Sequence, residues 1–146
     1  LALQDDVRNL ASNPTLRAIE PEALRLIAFS AETQFLRVGD ILFRRGEVSD
    51  GGYVVLMGAV ALGADEKPVA IARAPALIGD SALITRTVRP CMALAIEPST
   101  VLKIPRALFR RVLSEHPDSA ARLRRTLAHR LFALRNDLST YRGELL

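Results

Sequence analysis

Few side chains in this sequence could carry covalent or metal chemistry. Cys91 is the only cysteine, and His116 and His129 are the only histidines. One thiol excludes an internal disulfide and a multi-cysteine zinc site. No histidine accompanies Cys91 in an arrangement that would make it a nucleophile, so a small core residue is its expected role. Neither histidine stands at ligand spacing from an acid; His116 reads as helix-terminal and His129 as helix-surface. No catalytic residue and no metal ligand is therefore expected. What the sequence has in excess is positive charge. Twenty Lys and Arg face 16 Asp and Glu, for a net charge of +4 and a pI near 10.0. Most of the twenty are arginine, whose planar fork matches two oxygens of a phosphate. This balance favours an anionic partner such as nucleic acid, a phosphate ligand or an anionic lipid surface. The plainer reading is a solvated arginine-rich surface, and the run Arg122, Arg124, Arg125, Arg130 and Arg135 fits that reading.

The elements that would position these groups fall into three zones of one expected domain, residues 1–146. At this length a chain buries enough surface to fold without a disulfide or metal staple. Residues 1–30 read as helical: a segment from Gln4 to Asn13 stops at Asn13-Pro14, and Pro21 opens a second over Glu22 to Ala28. Residues 31–104 switch to alternation, through Phe35, Ile41 and Phe43, then Tyr53, Val55 and Met57. It continues in Val60 and Leu62, Val69 and Ile71, and Leu94 and Ile96. Turn signals punctuate it at Gly39-Asp40, Gly46, Asp50-Gly51-Gly52, Gly58, Gly63 to Pro68 and Pro98-Ser99. Many short strands at such spacing predict an antiparallel barrel or sandwich. In residues 105–146 Pro105 opens a short helix carrying Leu108, Phe109, Val112 and Leu113, which His116-Pro117 interrupts. Asp118 or Ser119 is the expected cap of a long last helix running toward Tyr141. The expected fold class is mainly β with flanking helices (α+β): an antiparallel, jelly-roll-like β-roll followed by a short and a long C-terminal helix.

The glycines and acids make the pattern more specific. Val38-Gly39-Asp40-Ile41-Leu42-Phe43 is followed by Arg45-Gly46-Glu47, then Asp50, Tyr53-Val54-Val55 and Gly58-Ala59-Val60. This resembles the β-roll of the cyclic nucleotide-binding domain family, which includes the catabolite activator protein and the regulatory subunit of the cAMP-dependent kinase. Ile78-Gly79-Asp80-Ser81-Ala82-Leu83-Ile84 resembles that family's phosphate-binding cassette, F-G-E-x-A-L, and Arg89 follows Asp80 at the family's usual spacing. The resemblance runs from about residue 5 to residue 141, with the cassette at 78–90.

The resemblance implies non-catalytic binding of a cyclic nucleotide, coupled to the C-terminal helices. The ligand offers a ribose 2′-hydroxyl, which needs a carboxylate, and a cyclic phosphate, which suits a guanidinium. The implied site residues are Gly79, Asp80, Ser81, Ala82, Arg89, Pro90 and Cys91. Arg89 is placed on the phosphate, Asp80 on the ribose, and the amides of Ser81 and Ala82 on the anion. Four features depart from the family pattern. Asp80 stands where the family usually has Glu, and Pro90, which lacks an N–H, follows Arg89 in place of Ala or Ser. Met92 stands where the family often has Thr, and Leu77-Ile78 replaces an aromatic before Gly79. With the hydroxyl associated with cGMP missing at Met92, cAMP is the expected ligand over cGMP, and no other cofactor is implied. The alternative is a degenerate domain of the same fold, a dimerisation or docking platform in which Asp80 and Arg89 form a structural salt bridge.

Leu127, Leu131, Leu134 and Leu138 recur at coiled-coil spacing and predict a homodimer seam. Phe132, Ala128 and Ala121 would then face the barrel; the other reading has the leucines themselves on the core face. Arg135 or Asn136 could reach the base if the last helix covers the pocket. Direct DNA binding is not expected of this chain, since only Gly143 to Leu146 follow the long helix in place of a helix-turn-helix. An enzyme of the cupin type, the other use of such rolls, needs more histidines than the two present. No apolar run approaches the roughly 20 residues that span a bilayer, and no secretory signal opens the sequence, so the expected location is cytoplasmic.

Overall fold

The computed structural model describes the backbone of residues 2–64 and 67–136 and the side chains of residues 4–63, 68 and 70–129. Helix α1 (Ala2–Ser12) ends at Asn13. There the Asn13 Oδ1 accepts from the amides of Thr15 (2.9 Å) and Leu16 (3.1 Å) and starts a 3-10 turn, Leu16–Ala18. Pro21, whose missing N–H costs nothing at a first helical position, opens α2 (Pro21–Ser30). Among the described residues eight strands follow: β1 (Glu32–Leu36), β2 (Ile41–Phe43), β3 (Gly51–Met57), β4 (Ala59–Ala64), β5 (Lys67–Arg73), β6 (Leu77–Ile78), β7 (Met92–Ala95) and β8 (Ser99–Pro105). Helix α3 (Asp80–Ile84) interrupts them after β6, and α4 (Arg106–Glu115) and α5 (Pro117–Asn136) close the order.

The strands form two antiparallel four-stranded sheets, β1-β8-β3-β6 and β2-β7-β4-β5. This is the predicted β-roll. One core lies inside the roll, around Phe43, Tyr53, Val55, Leu62, Ile78 and Val101. The other packs the outer face of the first sheet, through Val54, Leu102 and Ile104, against the helices, through Leu10, Leu24, Phe109 and Leu123. The acids after Gly39 and Gly46 close their own turns. Asp40 Oδ2 accepts from the Arg37 amide at 2.8 Å, and Glu47 Oε1 accepts from the Arg44 amide.

Four expectations are corrected. Asp50-Gly51-Gly52 is not a turn, because Gly51 and Gly52 begin β3. A Cβ at Gly51 would overlap the Ile104 carbonyl and sit 2.9 Å from the Pro105 Cα, so close strand packing demands the glycine. The alternation also has a different phase in places. In β7 the alanines Ala93 and Ala95 are buried while Leu94 is half-buried, and Ile96 just after the strand is exposed; in β5 Ala72 is buried and Ile71 exposed. Phe35 is 78% exposed. Where both alternating sets are apolar, period two fixes the strand but not which set faces inward. The long helix begins at Pro117, ahead of Asp118 and Ser119. Ser119 is buried and its Oγ accepts from the Glu20 amide (3.0 Å) and Arg122 Nη2 (3.3 Å). Finally, α5 turns Ser119, Leu123 and Leu127 toward the helical core and leaves Ala128 exposed. Leu127, the first residue of the proposed seam, therefore packs within its own chain, and Ala128 does not face the barrel. The side chains of Leu131, Phe132, Leu134 and Leu138, with Arg135 and Asn136, lie outside the described residues.

Candidate functional site

Strand β6 delivers the chain to Gly79, which adopts φ +79° and ψ 47°. This left-handed conformation is open to glycine at little cost and turns the backbone from strand into α3. Asp80 Oδ1 accepts from the Ser81 amide at 2.8 Å. The Ala82 amide donates to the Gly79 carbonyl at 3.0 Å. Both amides expected to face an anion are thus already engaged. After α3 the chain runs beside residues 46–49. The Arg89 amide donates to the Glu47 carbonyl (2.7 Å), and the Gly46 amide to the Arg89 carbonyl (2.8 Å). The Ser49 amide donates to the Thr87 carbonyl (2.8 Å), while the two hydroxyls of Ser49 and Thr87 meet at 2.8 Å. This backbone ladder fixes where the Arg89 side chain starts.

The Arg89 side chain then turns into the roll, and the residue is only 4% exposed. Nη2 donates to the Gly51 carbonyl at 2.8 Å. The guanidinium carbon lies 4.3 Å from the Phe43 ring centroid and 5.6 Å from that of Tyr53. Nη1 comes so close to Gly79 that a Cβ there would sit 2.8 Å from it. Burial pushes the guanidinium pKa down from its ordinary value, against the raising influence of Tyr53, Asp50 and Glu47. Asp50 is itself committed to Lys103, 3.2 Å away. An Asp80–Arg89 ion pair is not among the salt bridges of the described residues. The structural salt bridge considered for these two residues is therefore not formed. A buried cation held by one carbonyl and two aromatic faces, with no carboxylate partner among the described residues, has the chemistry to pair with an anion.

Of the predicted site residues, Gly79, Ala82, Arg89 and Cys91 are buried, Asp80 is half-buried, and Ser81 and Pro90 are exposed. Gly79 and Arg89 are brought into contact. Cys91 belongs to the core inside the roll; burial raises its thiol pKa, and a hydrogen bond with the Gly63 backbone partly offsets this. Among the described residues no group of three or more His, Cys, Asp or Glu could hold a metal ion, and no helix is long and apolar enough to cross a membrane.

Three residues escaped the sequence reading. Phe43 and Gly51 hold the Arg89 guanidinium, as described. Arg106, the first residue of α4, donates through Nη1 to the carbonyls of Ala82 (3.0 Å) and Thr85 (3.1 Å) and through Nη2 to that of Ser49 (3.2 Å). Its amide donates to the Asp50 carbonyl at 2.7 Å. Arg106 thereby ties the C-terminal end of α3 and the segment before β3 to the start of α4. A signal was available: a cation in a helix's first turn opposes the helix dipole, so it needs acceptors from elsewhere.

The cyclic nucleotide-binding domain model matches residues 33–116. A cyclic nucleotide-binding-like protein from Brucella abortus is 35% identical, covers 75% of this chain and 98% of its own, and superposes with a TM-score of 0.67. The N-terminal domain of a transcriptional regulator from Streptomyces coelicolor is 27% identical, covers 91% of this chain and 95% of its own, with a TM-score of 0.81. Among curated proteins, lysophospholipase NTE1 of Chaetomium globosum is 30% identical over 128 residues, 84% of this chain. The chain spans 8% of that lysophospholipase's length. From the match over residues 33–116 and the two-sheet roll that carries it, the chain belongs to the cyclic nucleotide-binding domain family.

Proposed function

We propose that this chain is a non-catalytic regulatory module that binds a cyclic nucleotide, cAMP in preference to cGMP, and couples its occupancy to α4 and α5. The observation that carries the reading is Arg89: a cation 4% exposed, stacked on Phe43, with no carboxylate partner among the described residues. A cyclic phosphate supplies the missing negative charge. Asp80 serves the ribose 2′-hydroxyl. In doing so it lets go of the Ser81 amide, which then turns to the phosphate. Arg106 passes a shift of α3 to α4, because it holds the Ala82 and Thr85 carbonyls. The preference for cAMP rests on Met92, which lacks the hydroxyl that the family associates with cGMP. If the chain acts within a lysophospholipase, it contributes regulation and leaves the hydrolysis to other residues.

A second reading, a docking platform without nucleotide, has its own support. The Ser81 and Ala82 amides are engaged, and Pro90 has no N–H to offer. Calorimetric titration of nucleotide-stripped protein with cAMP and cGMP separates the two. The first reading expects saturable binding, tighter for cAMP, which Arg89→Ala weakens by roughly ten- to a hundredfold, the worth of a hydrogen bond to a charged group. Absence of heat and of any melting shift with either nucleotide would sink it in favour of the platform.

A further inference from the structure

We propose that a groove between the 3-10 turn and α5 is a second anion site, built for a phosphate group and separate from the Arg89 pocket. The groove has a volume of about 410 Å³ and is lined by Pro14, Arg17, Ala18, Arg122, Arg125 and Thr126. None of these residues belongs to the cassette or to its supports. Positions 122, 125 and 126 share one face of α5 by helical spacing, and Arg17 approaches from the 3-10 turn.

The arginines are arranged differently from a solvated charge run. Arg122 is half-buried and fixed: Nε donates to the Ala18 carbonyl at 2.9 Å and Nη2 to Ser119 Oγ at 3.3 Å. The Thr126 hydroxyl donates to the Arg122 carbonyl at 3.0 Å and stiffens the same turn. Arg17 and Arg125 are exposed, and among the described residues neither enters an ion pair. The nearest acids in sequence do not neutralise the groove. Glu20 faces His116 at 3.6 Å, and Asp118, one turn before Arg122, is exposed and forms no ion pair among the described residues. Three arginines line one concavity whose described lining holds no carboxylate, and such a concavity focuses positive potential. Guanidinium forks match phosphate oxygens in pairs. The groove is wider than one bare phosphate, so a phosphate carrying a substituent fits as well as a free one.

The test uses two probes, inorganic phosphate followed by phosphorus NMR, and phosphatidylcholine vesicles with or without phosphatidic acid followed by co-sedimentation. Wild-type protein is expected to bind at least one probe saturably. Binding of both identifies free phosphate as sufficient, and binding of the phosphatidic acid vesicles alone identifies a lipid headgroup; either outcome supports the site. Arg17→Ala/Arg125→Ala should weaken binding about tenfold per arginine without moving the melting temperature, since both side chains are exposed. Arg110→Ala/Arg111→Ala removes the same charge from α4 and should leave binding near wild type. Arg89→Ala should also retain it, which separates this site from the cassette whatever the outcome for cyclic nucleotides. The proposal is overturned if neither probe binds, if the Arg17/Arg125 variant binds like wild type, or if either control loses binding equally.

Discussion

Replacing Gly79 by alanine tests the packing of the buried guanidinium with a predictable size. Alanine at φ +79° carries a left-handed strain of about 1–2 kcal/mol. Its Cβ would also stand 2.8 Å from Arg89 Nη1, closer than such contacts allow. Relieving that contact requires the guanidinium to move by about 0.7 Å. A displacement of that size along the 2.8 Å bond from Nη2 to the Gly51 carbonyl stretches it past the limit of a useful hydrogen bond. A bond from a charged donor contributes about 1.5–3 kcal/mol. The total for Gly79→Ala is therefore about 2.5–5 kcal/mol in the presence of Arg89. In an Arg89→Ala background the contact and the bond are both gone, and only the strain of about 1–2 kcal/mol remains. A double-mutant cycle by urea denaturation should thus return a coupling of at least about 1.5 kcal/mol. For a chain of this length each kcal/mol moves the melting temperature by roughly 2–4 °C. Additivity within about 0.5 kcal/mol would refute the packing argument, because Gly79 would then be needed for its backbone alone.

Other consequences can be read directly. Arg106→Ala leaves the carbonyls of Ala82, Thr85 and Ser49 without their guanidinium donor and should cost about 2–4 kcal/mol, with faster amide exchange at Thr85 and Ala82 as the local readout. Leu123→Ala, at a side chain 2% exposed between α5 and the helical core, should cost about 2–5 kcal/mol in urea unfolding. Cys91 supplies a pH test. Burial raises its thiol pKa above the ordinary value, so the native state resists forming the thiolate. That contribution to stability is complete below the unfolded thiol's pKa and is lost as pH rises through the higher folded value. Wild type should lose stability at alkaline pH relative to Cys91→Ala, and iodoacetamide should label native Cys91 only at higher pH than a free thiol.

The sequence carried the helices, the roll and the cassette's position because those depend on local signals. Pro21 and Pro105 mark helix starts or their approach, and alternation marks strands. The side chains that complete the site come from elsewhere. Arg89 is held by Phe43 on β2 and Gly51 on β3, and nothing in the spacing of residues 43, 51 and 89 announces that contact. Gly51 illustrates the limit. Asp-Gly-Gly reads as a turn, yet Gly51 is required by the approach of β8, a feature of strand pairing across more than 50 residues. The phase of β7 was similarly hidden, because Ala93 and Ala95 compete with Leu94 and Ile96 for the interior and packing volume decides between them.

The cassette acid has two demands that it cannot meet together. Asp80 Oδ1 now accepts the Ser81 amide. The proposed complex asks the same carboxylate for the ribose hydroxyl and the same amide for the phosphate. A rotation of the Asp80 side chain meets both demands at once, exchanging its bond with the Ser81 amide for contacts to the ligand. Asp80→Ala separates the terms. It removes the ribose acceptor, a loss of about 1.5–3 kcal/mol, and leaves the Ser81 amide open to the phosphate, an offsetting gain of similar size. Affinity for cAMP should therefore change by less than about tenfold, while the preference for cAMP over 2′-deoxy-cAMP disappears. Asp80→Glu should act oppositely. Its longer side chain disfavours the tight ring with the neighbouring amide and reaches further toward the ribose, so affinity should rise about fivefold, for one added neutral-strength bond, and the preference should widen. Titrating wild type and both variants with the two nucleotides tests the exchange. If Asp80→Ala keeps the full preference for the 2′-hydroxyl, another residue reads the ribose, and Asp80 serves only to hold the start of α3.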